Sequence, residues 1–157
     1  ASKIGLAAIK FYLLRVNPQQ EINFDPEESI SFDGFTGPYC QYAYARCAGV
    51  VRNAEERGVE DESDFSLLGN EEELQLIRAL VRFSEAVETA VRDYKPSVVC
   101  THLFALAQTF NQFYNKHRVL GADGAGLVAA RLQLVKATAQ VLKNGLALLG
   151  IEVLENM

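Results

Sequence analysis

The sequence has no tryptophan, one methionine and only three cysteines, and it contains no CxxC pair. Cys40 and Cys47, seven positions apart on one predicted helix, would be separated by about 10 Å along its axis, too far for a disulfide. Cys100 and His102 are two candidate metal ligands without the second pair that a zinc site needs. We therefore expect buried, reduced thiols in a reducing compartment and no metal site.

Long apolar runs are also missing from the 157-residue chain. Lysines and arginines interrupt every candidate before the roughly 18 residues that cross a bilayer. The amphipathic start, residues 1–14, lacks the small-residue cleavage site of a signal peptide. Hydrophobic residues still make up 49% of the chain, which is enough for a core and excludes a disordered tail. We expect a cytoplasmic protein without a membrane partner.

The net charge of −5 is unfavourable for a nucleic-acid binder, but the acidic residues are concentrated in one stretch. Residues 55–73 contain nine carboxylates and one arginine, a net charge of −8. The remainder of the chain therefore carries a net charge of +3. An electropositive surface outside this acidic stretch is compatible with the composition.

Hydrophobic periodicity predicts an all-α fold, a bundle of about five helices. The helices are expected at about 4–14, 36–57 and 71–91, from Pro96 onward, and at about 127–149. Alternating apolar residues predict a short extended or hairpin segment at 21–33, and the acidic residues 58–70 predict a mobile loop. We divide the chain into a connecting segment, 1–33, and a helical domain, 34–157.

The second helix has a distinctive flank beside its apolar stripe. Tyr39, Tyr42, Arg46, Gly49 and Asn53 are spaced three or four residues apart, so neighbouring side chains meet. Two phenol rings and a guanidinium can stack on bases and hold a phosphate. The alternative is that both tyrosines complete the core and Arg46 is a solvated charge. Spacing alone leaves both interpretations open.

Several segments resemble one protein family. Residues 36–39, Thr-Gly-Pro-Tyr, and 41–46, Gln-Tyr-Ala-Tyr-Ala-Arg, resemble the segment that leads from the catalytic half of arginyl-tRNA synthetases into their helical anticodon-binding domain. Residues 107–114 resemble the middle helix of this DALR-type domain, and 130–132 with 141–151 resemble its closing helix. The closing-helix pattern is shared with related class I synthetases, including the cysteine enzyme. The first segment, residues 36–46, resembles the arginine enzyme specifically.

The resemblance implies a C-terminal fragment of a class I arginyl-tRNA synthetase, whose full-length parent attaches arginine to tRNA with ATP. The implied partner is the anticodon stem-loop of arginine tRNA, and neither DNA nor a second copy of the chain is expected to bind. The implied tRNA-binding residues are Tyr39, Tyr42, Arg46 and Met157, with Asn111 and Tyr114 as weaker candidates.

The catalytic elements of such enzymes, His-x-Gly-His and Lys-Met-Ser-Lys, are not in this sequence. We therefore predict no catalytic residues, no cofactor and no activation of arginine by this chain alone. Two alternatives are a helical adaptor that binds a protein through residues 58–73, and a small catalyst that uses Glu71, Glu72, Glu73 or His102. The glutamates fit the start of a helix better, and His102 fits a hydrogen-bonded packing residue.

Overall fold

The computed structural model describes residues 2–60 and 62–157, and this part of the chain is helical without a strand. The elements are α1 (Ser2–Leu14), α2 (Pro26–Ser29), α3 (Gly37–Glu56), a 3₁₀ turn (Phe65–Leu67), α4 (Glu71–Val81), α5 (Phe83–Arg92), α6 (Ser97–Lys116) and α7 (Ala125–Leu148). Helix α3 packs against α1, α6 and α7, while α4 packs against α6 and α7 and α5 packs against α6. The predicted all-α bundle is confirmed. No helix among the described residues is long and apolar enough to cross a membrane.

The core forms where α3, α6 and α7 meet. Helix α3 buries the predicted stripe, and α6 and α7 supply larger side chains. Buried members include Cys40, Ala43, Cys47, Val50, Ala54, Leu103, Leu106, Phe110, Phe113, Leu142 and Leu146. Full burial of a Leu or Phe stabilises the fold by about 1.5 to 3 kcal/mol. Gly145 permits the close approach of α6 and α7, because a Cβ there would lie 2.4 Å from a methyl carbon of Leu103.

All three cysteines are buried and reduced, as predicted. Burial raises the pKa of Cys40 and Cys47, and it raises that of Cys100 to about 12. These thiols are therefore protonated at neutral pH and poor nucleophiles.

The start of α3 follows the sequence prediction. The Thr36 hydroxyl accepts a hydrogen bond from the Tyr39 amide at 3.2 Å, and Pro38 occupies the first turn. Gly37 allows α3 to touch α1, since a Cβ at this position would lie 2.6 Å from the Ala7 carbonyl oxygen. The cap and this close approach determine where α3 begins and therefore where Tyr39 and Tyr42 lie.

The predicted hairpin at 21–33 is wrong. The Asp25 carboxylate accepts hydrogen bonds from the amides of Glu27 at 2.9 Å and Glu28 at 3.1 Å, and Pro26 is the first helical residue. This capped start produces the single turn α2 in place of a second strand. Arg15, which directly follows α1, pairs with Glu28 and holds the turn against α1.

Two further predictions need correction. The single helix expected at 71–91 is divided at Arg82, where ψ is −4°. That value is far from the helical value near −42°, so the chain bends there. Residue 61 of the loop predicted at 58–70 lies outside the described residues, but residues 62–70 are more structured than expected. The 3₁₀ turn packs on α7, the Asp64 amide donates to the Gly126 carbonyl at 3.4 Å, and Leu68 is buried.

The glutamates at the start of α4 stabilise the helix, as interpreted from the sequence. The buried Glu73 carboxylate accepts hydrogen bonds from the Gly69 and Asn70 amides, both at 2.9 Å, and from Arg131 of α7 at 2.7 Å. Burial would raise its pKa, but these bonds lower it overall.

His102 lies against the Phe83 ring, and burial lowers its pKa although a hydrogen bond to the Ala79 backbone opposes this.

The C-terminal tail folds back along α3. Gly150, with φ of +68°, ends α7, and the Ile151 amide then bonds the Leu146 carbonyl at 2.9 Å. This is the Schellman arrangement that glycine favours. Three α3 side chains then hold the tail: Gln41 donates to the Glu152 carbonyl at 2.7 Å, Tyr44 to the Glu155 carboxylate at 3.0 Å, and Arg52 to the Asn156 side chain at 3.1 Å.

Candidate nucleic-acid interface

Tyr42 lies at the centre of an open surface near the start of α3. Its side chain is 38% exposed, and its ring meets the Phe32 ring edge-on with the centroids 6.4 Å apart. Both rings line an open pocket of about 430 Å³ together with Ile4, Asp33 and Met157. Apolar walls with one accessible phenol face suit a flat, partly polar ligand such as a nucleobase.

Arg46 lies one turn further along α3, between two phenol rings. Its guanidinium carbon is 4.8 Å from the centroid of Tyr42 and 5.3 Å from that of Tyr114. The guanidinium donates to the Tyr42 hydroxyl and to the Asn111 side-chain oxygen, each at 3.0 Å. A guanidinium has five N–H groups, so these two bonds leave donors for a ligand.

The charge of Arg46 is uncompensated by protein groups. In residues 2–60 and 62–157, no carboxylate lies within 4 Å of its guanidinium. The Asn111 amide and the tyrosines that hold it are neutral. The surface therefore presents a fixed positive charge beside aromatic rings, the combination that binds phosphates and bases.

Tyr39 and Asn111 support this surface from behind. The Tyr39 ring is half-buried against Phe104 at 5.2 Å, and its hydroxyl accepts a hydrogen bond from the Asn111 amide at 2.9 Å. Asn111 thereby links Tyr39 to Arg46. The alternative that both tyrosines complete the core fits the half-buried Tyr39 ring but not the exposed Tyr42 ring. Contact of Tyr39 and Asn111 with RNA stays a prediction.

Met157 reaches the same pocket from the opposite end of the sequence. It is 42% exposed and lines the pocket beside Tyr42. The start of α3 and the end of the chain therefore meet at this pocket. The Gln41, Tyr44 and Arg52 contacts described above hold the tail in this place. Burial and the hydrogen bond to Glu155 raise the pKa of Tyr44, so its hydroxyl stays a donor at neutral pH.

Sequence reasoning missed several residues around the pocket. Phe32 lies in the segment predicted to be extended or a hairpin, and Ile4 lies at the start of the first predicted helix. Gln41 and Tyr44 lie three positions apart on α3 and could have indicated a second, tail-facing flank. The sequence shows no comparable spacing for Phe32 and Ile4, because only the fold of the chain brings these residues close to Tyr42.

Comparisons with known proteins agree with this geometry. The family described as the DALR anticodon binding domain matches residues 40–157. Arginine–tRNA ligase of Clostridium perfringens is 47% identical over 157 residues, and that of Clostridium kluyveri is 44% identical over 158 residues. Each alignment covers 100% of this chain and 28% of the relative. The chain thus spans little more than a quarter of the length of the curated relatives it matches.

Solved structures show the same similarity. Arginyl-tRNA synthetase of Thermus thermophilus superposes with a TM-score of 0.91 at 36% sequence identity, over 99% of this chain and 27% of that one. The synthetase of Plasmodium falciparum gives a TM-score of 0.85 at 21% identity, over 99% of this chain and 27% of that chain, and supports the fold alone.

Proposed function

Because this chain belongs to the DALR anticodon-binding domain family, we propose that it recognises the anticodon stem-loop of arginine tRNA. The supporting observation is the exposed Tyr42 ring, which lines one pocket with Met157 and lies against the uncompensated Arg46 guanidinium. Bases in single-stranded loops are unstacked, and an aromatic face restores about 1 to 3 kcal/mol of stacking per base. The pocket offers such a face.

Each residue of the surface has a distinct role in this proposal. Tyr42 stacks on an anticodon base, and Met157 packs against the same base from across the pocket. Arg46 donates to a phosphate or to a base edge. Asn111 and Tyr39 hold the Arg46 guanidinium in place, and Tyr114 covers its other side.

We further propose that the chain acts within a longer arginine–tRNA ligase that uses ATP, with residues 34–157 as the tRNA-binding domain and residues 1–33 as the connection to the catalytic part. The chain alone is expected to give no arginine-dependent exchange between ATP and pyrophosphate. Measurable exchange by the purified chain would contradict the assignment of catalysis to the rest of the ligase.

The test of anticodon recognition is a titration with two transcripts, arginine tRNA and the same tRNA with the middle anticodon base changed. The changed base should weaken binding by about 1 to 3 kcal/mol, and both affinities should fall with added salt. Tyr42→Ala should remove most of the discrimination. Tyr94→Ala is the matched control, because Tyr94 is 87% exposed and lies outside the pocket, and it should keep the discrimination. Equal affinity of the unsubstituted chain for both transcripts would refute the proposal.

A further inference from the structure

A second open pocket, of about 340 Å³, lies where α3 and α6 end. Val50 and Val119 form its apolar floor and are 6% and 5% exposed. Its rim is polar and includes Asn53, Arg57 and Arg118. None of the residues implied by the family resemblance to bind tRNA lies on this rim apart from Tyr114, the weaker candidate.

The rim carries unpaired positive charge. Arg57 and Arg118 are exposed, and across the described residues neither guanidinium has a carboxylate within 4 Å. The carboxylate of Glu72 lies next to His117 of the lining, but Lys116 and His117 both bond it. The aliphatic part of Arg118 lies close to Gly121 of the lining, since a Cβ added at Gly121 would be 3.6 Å from the Arg118 Cδ. A pocket with two free guanidiniums favours a phosphate, which each can bind through two parallel hydrogen bonds.

The second pocket continues the surface around Tyr42. Tyr114 lines it and lies against Arg46, whose guanidinium bonds the Tyr42 hydroxyl. Asn53 and Arg57 follow Arg46 along the same flank of α3, seven and eleven residues later. At 1.5 Å per helical residue, Arg57 lies roughly 22 Å from Tyr42 along the axis. A nucleic-acid strand that leaves the first pocket in this direction reaches the second after several nucleotides.

We propose that the pocket formed by Arg57 and Arg118 binds a backbone phosphate of the tRNA strand that continues from the base held at Tyr42. This inference rests on the proposed function and extends it to a second contact of different chemistry. A phosphate carries no sequence information, so this pocket strengthens and orients binding without reading the anticodon.

The test uses a double variant, Arg57→Gln with Arg118→Gln, and the two transcripts described above. Both transcripts should bind more weakly by the same factor, so that their affinity ratio is unchanged. The slope of log affinity against log salt should become shallower by about 1, because one phosphate contact is lost. Arg82→Gln with Arg92→Gln is the matched control: it removes two exposed charges, one between α4 and α5 and one at the end of α5, and should leave affinity and slope unchanged.

The outcomes separate this inference from the proposed function. If the double variant keeps the affinity and salt slope of the unsubstituted chain, the phosphate pocket is refuted while anticodon recognition stands. If the variant instead loses the preference between transcripts, the pocket reads bases and the phosphate assignment is wrong. If the unsubstituted chain binds both transcripts equally, anticodon recognition fails, and the salt slope of the variant still decides for or against the pocket. An absence of RNA binding would overturn both.

Discussion

Two arginines on neighbouring helices have opposite environments. Arg131 of α7 is 7% exposed; its guanidinium donates to the Glu73 carboxylate at 2.7 Å and to the Arg118 carbonyl at 2.8 Å. Glu73 is 0% exposed and also accepts two backbone bonds. Arg46 of α3 donates to two neutral groups, the Asn111 side-chain oxygen and the Tyr42 hydroxyl, and lies beside the Tyr42 ring at the surface.

The difference indicates what each arginine does. A buried charge is tolerated only when a partner and hydrogen bonds replace its water, so Arg131 and Glu73 depend on each other and tie α7 to the start of α4. The Arg46 guanidinium is partly exposed and held by neutral groups. Its positive charge is therefore retained, and some of its N–H donors stay unused. Arg131 therefore serves the fold, and Arg46 is available to a ligand.

The largest expected effect is on stability. Arg131→Met leaves the Glu73 carboxylate buried without its guanidinium and should lower the free energy of unfolding by about 3 to 5 kcal/mol. Arg46→Met is the matched control and should cost less than about 1 kcal/mol, because no buried charge is stranded. Urea titration of both variants measures the difference. Equal losses would show that the two environments do not differ in the way described.

The next effect is on binding. Tyr42→Ala should weaken the complex with arginine tRNA by about 1 to 3 kcal/mol, since one stacking surface is lost. The free energy of unfolding should change little because the ring is exposed. Tyr42→Phe keeps the ring and should retain most of the affinity. A large loss of stability in Tyr42→Ala with unchanged affinity would show that Tyr42 stabilises the fold and does not contact the RNA.

A smaller effect on RNA binding is expected from Asn111, which holds Arg46 in place. Asn111→Ala removes the bridge between Tyr39 and Arg46 and should weaken RNA binding by about 0.5 to 1.5 kcal/mol. Because Asn111 acts through Arg46, the same change in an Arg46→Met background should cost much less. Full additivity of the two substitutions would show that Asn111 does not position Arg46.

The smallest effect concerns pH. Hydrogen bonds from Lys116 and His117 lower the pKa of Glu72 to about 2. A folded-state pKa below the unfolded value gives stability that is complete above about pH 4.5 and is lost as the pH falls toward 2. Glu72→Gln should therefore be less stable than the unsubstituted chain at pH 7, and the two should converge near pH 2. Urea midpoints across this range measure it; Glu56→Gln, on an exposed residue of α3, should show no such convergence.

Local patterns in the sequence predicted much of this molecule. The apolar stripe of α3, its start near residue 36 and the acidic start of α4 each depend on residues within a few positions, where helix geometry determines which side chains meet. The flank of Tyr42 and Arg46 was visible for the same reason. The hairpin prediction failed because the Asp25–Pro26 cap outweighed a weak alternation of apolar residues.

Contacts between distant residues could not be predicted in this way. Glu73 and Arg131 are 58 positions apart, and Arg46 and Asn111 are 65 apart. Only packing of the helices brings each pair together, so periodicity shows neither the buried ion pair nor the residue that holds Arg46. The approach of Phe32 to Tyr42 has the same origin.

The most direct test of the central claim is a double-mutant cycle between Tyr42 and the middle anticodon base. Four titrations combine the unsubstituted chain and Tyr42→Ala with arginine tRNA and its base-changed form. If Tyr42 stacks on that base, the second change should cost little once the first is made, giving a coupling energy of at least about 1 kcal/mol. Additive losses would contradict direct contact between this surface and the anticodon.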